Sequence, residues 1–304
     1  MFNWQHFGYE SDGYLNYDKI ANQAKEYQPK LIVIGASAYP RHFDYKRMRE
    51  IADSVGAYLM ADIAHISGLI ATGNAPNVFE YCHIVTSTTH KILRGPKGAL
   101  IFGLNKHNDH NLMSSLHESV FPGFQGGPHN HSIAGIAACL HEAGTREYKE
   151  YIDQSLNYSK ELASSLRQKG YDLLTSGTDT HIIVIDLRKL GLDGRRVASA
   201  FEACGISLTP AKIYGEEDPV KSGIRIGTTA LFSQNLQFIS PIRLANLLDL
   251  NLKQMKALSS ITPLEEFVSA FKEHIKTNPT LQEELRIFHI DVKSQKIDVL
   301  EFDN

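Results

Sequence analysis

The sequence predicts an α/β chain: a large domain on a mostly parallel sheet, then a smaller α+β domain. Three observations predict it. From Pro29 onward, short continuous apolar runs alternate with helical patterns, and strands apolar on both sides suit a parallel sheet covered on both faces. The connections between these runs are long enough for the crossovers that parallel neighbours need. After Gly170 the pattern changes, which places a domain boundary near residues 145–170.

Taken in order, Leu31-Ile32-Val33-Ile34-Gly35 reads as a buried strand, Tyr45 to Val55 as an amphipathic helix, Ala57 to Ile63 as a second strand and Ile84 to Thr88 as a third. A helix from about Asn130 to Ala143 follows the loop FPGFQGGP, and a longer one from Tyr148 to Lys169 is expected to bridge the domains. The smaller domain reads as strand His181 to Leu187, helix Gly194 to Ala203 and strand Ile224 to Gly227. Beyond Asn235 the signals are helical, and the tail from Arg286 to Asn304 alternates polar and apolar residues without a clear assignment. The expected division is 1–150 for the large domain and 151–304 for the bridging helix and small domain.

Composition narrows the classes of function. With 304 residues, 42% hydrophobic and 21% charged, the chain has room for one large core and a smaller one. Lys plus Arg is 31 against 34 Asp plus Glu, and a net charge of -3 gives no electrostatic reason to expect nucleic acid or an anionic membrane. Small molecules are the expected ligands. Cys82, Cys139 and Cys204 stand far apart without a C-x-x-C pair, so neither a disulfide framework nor a structural zinc is expected. No apolar run approaches the roughly 20 residues that span a bilayer, and the start MFNWQHFGYE lacks a signal-peptide pattern. A cytoplasmic protein is expected.

In sheets of this kind ligands gather beyond the carboxyl ends of the strands, where Ser37, Asp62 and Lys91 all fall. Lys91 closes the stretch TSTTHK, with Arg94-Gly95-Pro96 soon after, and near hydroxyl groups and His90 it is expected to be partly buried. An amine so held is a candidate nucleophile. Pyridoxal phosphate chemistry needs a lysine to take the cofactor aldehyde and an acid against the pyridine nitrogen. Asp62 and Lys91, 29 residues apart, suit that pair, and His65 is placed to lay its ring on a cofactor. Singly, such an Asp is usually a turn cap and such a Lys is usually solvated. The histidine pairs His129/His131 and His107/His110 have no cysteine or carboxylate to complete a metal site, so no metal is expected. The Gly126-Gly127-Pro128 turn can free backbone amides for a phosphate ahead of a helix.

Ser37-Ala38-Tyr39, REIADSVGAYLMADIAHISGL, TSTTHKILRGPKG, FPGFQGGPHNH, SGTDTH and SGIRIGTTA stand in the order of, and resemble, the serine hydroxymethyltransferase family of fold type I pyridoxal phosphate enzymes, across most of residues 9–230. The resemblance implies that Lys91 carries the cofactor as a Schiff base, with Thr88 and His90 beside it. It implies that Asp62 faces the pyridine nitrogen, His65 stacks on the ring and Ser37 contacts a ring substituent. Arg225, in SGIRIG, resembles the arginine that grips the substrate carboxylate. Gly127, next to Gly126, resembles a glycine reaching the cofactor phosphate of a neighbouring subunit, which implies a homodimer. The implied reaction interconverts serine and glycine, with tetrahydrofolate as co-substrate.

The departures keep alternatives open. The family's N-terminal portion, which supplies part of the pocket, is expected to have no counterpart before Met1. Ala211-Lys212-Ile213 replaces an N-K-N segment, the loop before SGIR shortens to EEDPVK, and Thr229 with Leu231-Phe232-Ser233-Gln234 replaces a proline and a T-x-R-G turn. A folate-independent aldolase for 3-hydroxy amino acids, or a non-catalytic binding and assembly protein, are the competing readings.

Overall fold

The computed structural model describes residues 3–103, 110–203, 205–216, 221–234, 236, 238–261, 263–280 and 282–283. The tail 286–304, Cys204, His107, the side chain of His110 and most of the loop before SGIR lie outside them. The chain divides into two compact units. One comprises Met1–Ser37 and Arg41–Asp153, and the other Ala38–Pro40 and Gln154–Asn304.

In the first unit, strands β1 (Leu31–Ile34), β2 (Tyr58–Asp62), β3 (Ile84–Thr88) and β4 (Ala99–Gly103) lie side by side in that order. β1, β2 and β3 are parallel, in a register that pairs Ile34 with Ala61 and Asp62 with Thr86, so their carboxyl ends finish at one end of the sheet. β4 runs antiparallel to β3, with Thr88 opposite Ala99. Helix α1 (Tyr17–Tyr27) starts at Asn16, whose side chain accepts from the Lys19 N–H, and stops at Gln28 in the left-handed region. Helix α2 (Tyr45–Ser54) is capped in the same way by Asp44. It buries Tyr45, Met48, Ile51 and Ala52, a stripe at helical spacing that seals the crossover between β1 and β2. A short helix α3 (Ser67–Ala71) follows β2, and α4 (His110–Glu118) and α5 (Asn130–Ala143) follow β4. α6 (Arg146–Gln168) runs through the division between Asp153 and Gln154.

Burial on both faces, expected of the parallel strands, does not extend to the antiparallel β4. Ile101 is 50% and Phe102 37% exposed, and Phe121, Phe124, Ile133 and Leu140 beyond it are exposed as well.

In the second unit, β5 (Asp172–Leu173), β6 (Ile182–Asp186), β7 (Thr209–Ala211) and β8 (Gly223–Gly227) form a wholly antiparallel sheet ordered β5-β6-β8-β7. Helices α7 (Gly194–Glu202), α8 (Thr229–Ser233), α9 (Pro241–Ala257) and α10 (Leu264–Thr277) complete it. Its core joins Ile183 and Ile185 of β6, Phe201 of α7, Ile224 of β8, Leu248 of α9, and Phe267 and Phe271 of α10. One carboxylate enters this core. Asp249 is buried, and it accepts from the Tyr171 hydroxyl and the Lys253 ammonium, each at 2.9 Å.

Candidate active site

The parallel strands bring three of the expected residues to one end of the first sheet. Ser37 follows β1 by three positions, Asp62 is the last residue of β2, and Lys91 follows β3 by three. All three are exposed. Asp62 caps the turn after its strand: Oδ1 accepts from the Ala64 N–H at 3.0 Å, and the Ile66 N–H reaches Ile63 O at 2.9 Å. That turn carries His65, which is half-buried. A glycine makes the crowding around Asp62 possible, because a Cβ on Gly35 would lie 2.4 Å from Asp62 O and 3.0 Å from Asp62 Cβ.

The segment carrying Lys91 is held by its backbone. The Thr89 N–H bonds to Gly98 O at 3.1 Å, the Gly95 N–H to Thr89 O at 2.8 Å, and the Arg94 N–H to Lys91 O at 2.9 Å. Thr89 Oγ1 donates to Pro96 O at 2.6 Å. From the helices behind, Tyr148 OH donates to Ile92 O at 2.8 Å and Cys139 Sγ to Leu93 O at 3.1 Å. Glycines let this packing close: a Cβ on Gly95 would sit 2.6 Å from Cys139 Sγ, and one on Gly98 2.7 Å from Ile136 Cδ1.

This corrects the expectation of partial burial for Lys91. Thr89, Ile92 and Leu93 take the inward positions of the loop, so His90 and Lys91 point outward and are exposed. Thr88, at the end of β3, keeps Oγ1 buried without a hydrogen-bond partner.

Gly126 and Gly127 are exposed just ahead of α5, with nothing within 4 Å of where a Cβ would sit. His129 and His131 meet edge-on at 5.7 Å. Among the described residues no group of three or more His, Cys, Asp or Glu is placed to hold a metal. Cys82 is buried, and that burial pushes its thiol up to about 12.

Arg225 belongs to the second unit. It sits mid-strand in β8, opposite Val184 of β6 and Thr209 of β7, and its Nη2 donates to Thr209 Oγ1 at 3.2 Å. Burial lowers its guanidinium from the ordinary value, from so high a start that it stays charged at neutral pH. The departing segment Ala211-Lys212-Ile213 is partly core, with Ala211 and Ile213 buried.

Pyridoxal phosphate calls for an accessible amine, an anion for its ring nitrogen and polar partners around the ring. The exposed Lys91 and Asp62 at one sheet end, with the unpartnered Thr88 hydroxyl, fit that demand. Sequence reasoning missed the residues that hold this end in shape. The spacing of RGPKG signals Gly95 and Gly98, whereas Tyr148, 56 positions from Ile92, has no local signal.

A family model described as serine hydroxymethyltransferase matches residues 1–247. Similar proteins include the cytosolic serine hydroxymethyltransferase of Oryctolagus cuniculus, 40% identical over 93% of this chain and 60% of its own length. The chloroplastic serine hydroxymethyltransferase 3 of Arabidopsis thaliana is 41% identical over 88% of this chain and 54% of its own length. The cytosolic serine hydroxymethyltransferase of Saccharomyces cerevisiae is 48% identical over 74% and 50%. The chain thus spans between 50% and 60% of the length of these relatives. With the order of its elements and the extent of these matches, the chain belongs to the serine hydroxymethyltransferase family, whose fold is the type I pyridoxal phosphate fold.

Proposed function

We propose that this chain contributes to the pyridoxal phosphate-dependent interconversion of serine and glycine, with tetrahydrofolate as the one-carbon acceptor. The observation that carries the reading is the shared sheet end, where Asp62 and Lys91 stand exposed on a backbone held by hydrogen bonds. When bound, pyridoxal phosphate supplies an aldehyde that takes amines covalently and a protonated ring that withdraws electrons from the amino-acid α carbon. Lys91 is the attachment amine. The Asp62 carboxylate, with Oδ1 already oriented by the Ala64 N–H, would keep the ring nitrogen protonated. His65 would stack on the cofactor ring, and Ser37, Thr88 and His90 would supply polar contacts.

Arg225 receives the substrate carboxylate through its two-pronged guanidinium. Gly126 and Gly127 would offer backbone amides to the cofactor phosphate of a second copy, which the reading takes to form a homodimer with this chain. The cytosolic relatives in rabbit and yeast support a cytoplasmic setting, and the chloroplastic relative shows that location varies within the family.

The test is conversion of labelled serine to glycine by the cofactor-loaded protein, with and without tetrahydrofolate. Folate-dependent glycine formation supports the reading. Acetaldehyde release from allothreonine without any folate-dependent serine cleavage replaces it with a folate-independent aldolase, which the buried apolar Ala211 and Ile213 favour.

A further inference from the structure

We propose that Arg94 is a positioning residue that sets the orientation of Lys91, an inference that rests on the reading of Lys91 as the cofactor attachment site. Arg94 has φ 60, in the left-handed region that glycine tolerates best and an arginine enters only when its surroundings favour it. Its N–H closes the turn on Lys91 O at 2.9 Å, so the backbone of Lys91 is tied directly to that of Arg94. Its guanidinium lies over the Tyr151 ring, 4.3 Å from the centroid, and pairs with the Glu142 carboxylate. A planar cation wedged between an aromatic face and a carboxylate has few other places to go.

Two helices thereby grip the Lys91 turn through one side chain, Glu142 from α5 and Tyr151 from α6. Lys91 itself is exposed, so contacts to its own side chain do not explain its orientation. The turn does, and Arg94 is the residue that pins the turn from outside. The sequence places Arg94 three positions beyond Lys91 and assigns it no role.

Arg94→Gly removes the clamp while glycine holds the positive φ without steric strain. Arg94→Lys keeps the charge facing Glu142 and loses the planar plate over Tyr151. Glu142→Gln and Tyr151→Leu remove the clamp from its far side, at positions where folding should survive. Each protein is incubated with subsaturating pyridoxal phosphate and reduced with borohydride. The fraction of pyridoxyl label on Lys91 is read by peptide mass spectrometry, and amide hydrogen exchange is measured at Arg94 without cofactor.

The proposal expects Arg94→Gly to lower Lys91 labelling about tenfold and to speed exchange of that amide by a similar factor, with Arg94→Lys and the two partner variants intermediate. Unchanged labelling and exchange in Arg94→Gly, with wild type labelled at Lys91, overturns the positioning role and leaves the attachment reading intact. Failure of the wild type to label Lys91 overturns the attachment reading and the positioning role with it.

Discussion

The two sheets hold their candidate residues in opposite ways. In the first unit, Asp62 and Lys91 sit at or beyond the ends of parallel strands, exposed, while the backbone and the small residues behind them carry the precision. In the second, Arg225 is set into the middle of an antiparallel strand, flanked on both sides and half-buried over a packed core. On the proposed reading, the groups that reach the cofactor are mounted on a fixed turn, and the group that receives the substrate carboxylate is held in place by its own strand. The difference also says where each half is fragile: the first at its close backbone approaches, the second in its core.

The largest effect expected is in that core. Phe271→Ala, at a side chain with no exposed surface, should cost about 3–5 kcal/mol in urea unfolding of the second unit. Unfolding probes on the first sheet should lag behind, and a single coincident transition would erase the contrast. Next comes Gly35→Ala, which drives a methyl into Asp62 O and should cost about 1–3 kcal/mol while displacing the Asp62 turn. An unaltered thermal midpoint would show that β1 and β2 shift freely.

Arg225→Lys should leave folding and cofactor uptake alone and weaken glycine binding to the cofactor-loaded protein by about tenfold or more, because lysine cannot reproduce two parallel N–H contacts. Equal glycine affinity in the variant would return Arg225 to an ordinary strand position.

The smallest effect is a pH dependence at Glu216. Burial acts to raise this carboxyl, but the Ser222 side chain first, then the N–H groups of Ile213 and Ser222 and the charge of Arg188, outweigh it and hold its folded pKa below the ordinary value. A carboxyl depressed in the folded state contributes stability that is present above the ordinary carboxylate range and is lost as pH falls through its folded pKa. Glu216→Gln should therefore be less stable than wild type at neutral pH. The two melting curves should draw together below about pH 4.3, where unfolded carboxylates take up protons. A gap that widens in acid would give the shift the wrong sign.

Much of this contrast was legible in the sequence, and the rest has physical reasons for being hidden. Ile84 to Thr88 and Asn130 to Ala143 were read with the bounds they have, because an unbroken apolar run and a clean helical spacing need only local information. β4 was not read, since Ala99–Gly103 follows Gly98 directly and looks like the end of the Lys91 loop until it pairs with β3. β7 was hidden by its proline, which an edge strand accommodates. The ends of the parallel strands were foreseen and the exposure of Lys91 was not, because exposure depends on which loop neighbours turn inward. The Arg94 clamp joins residues 48 and more positions apart, beyond any local pattern.

The central claim is that Lys91, alone among the lysines, takes pyridoxal phosphate. The direct measurement is borohydride reduction of the cofactor-treated protein followed by digestion and peptide mass spectrometry. The account predicts one pyridoxyl group on the peptide containing Thr89-His90-Lys91 and none in Lys91→Ala. A label spread over surface lysines, with Lys97 in the same loop marked as readily as Lys91, would contradict it.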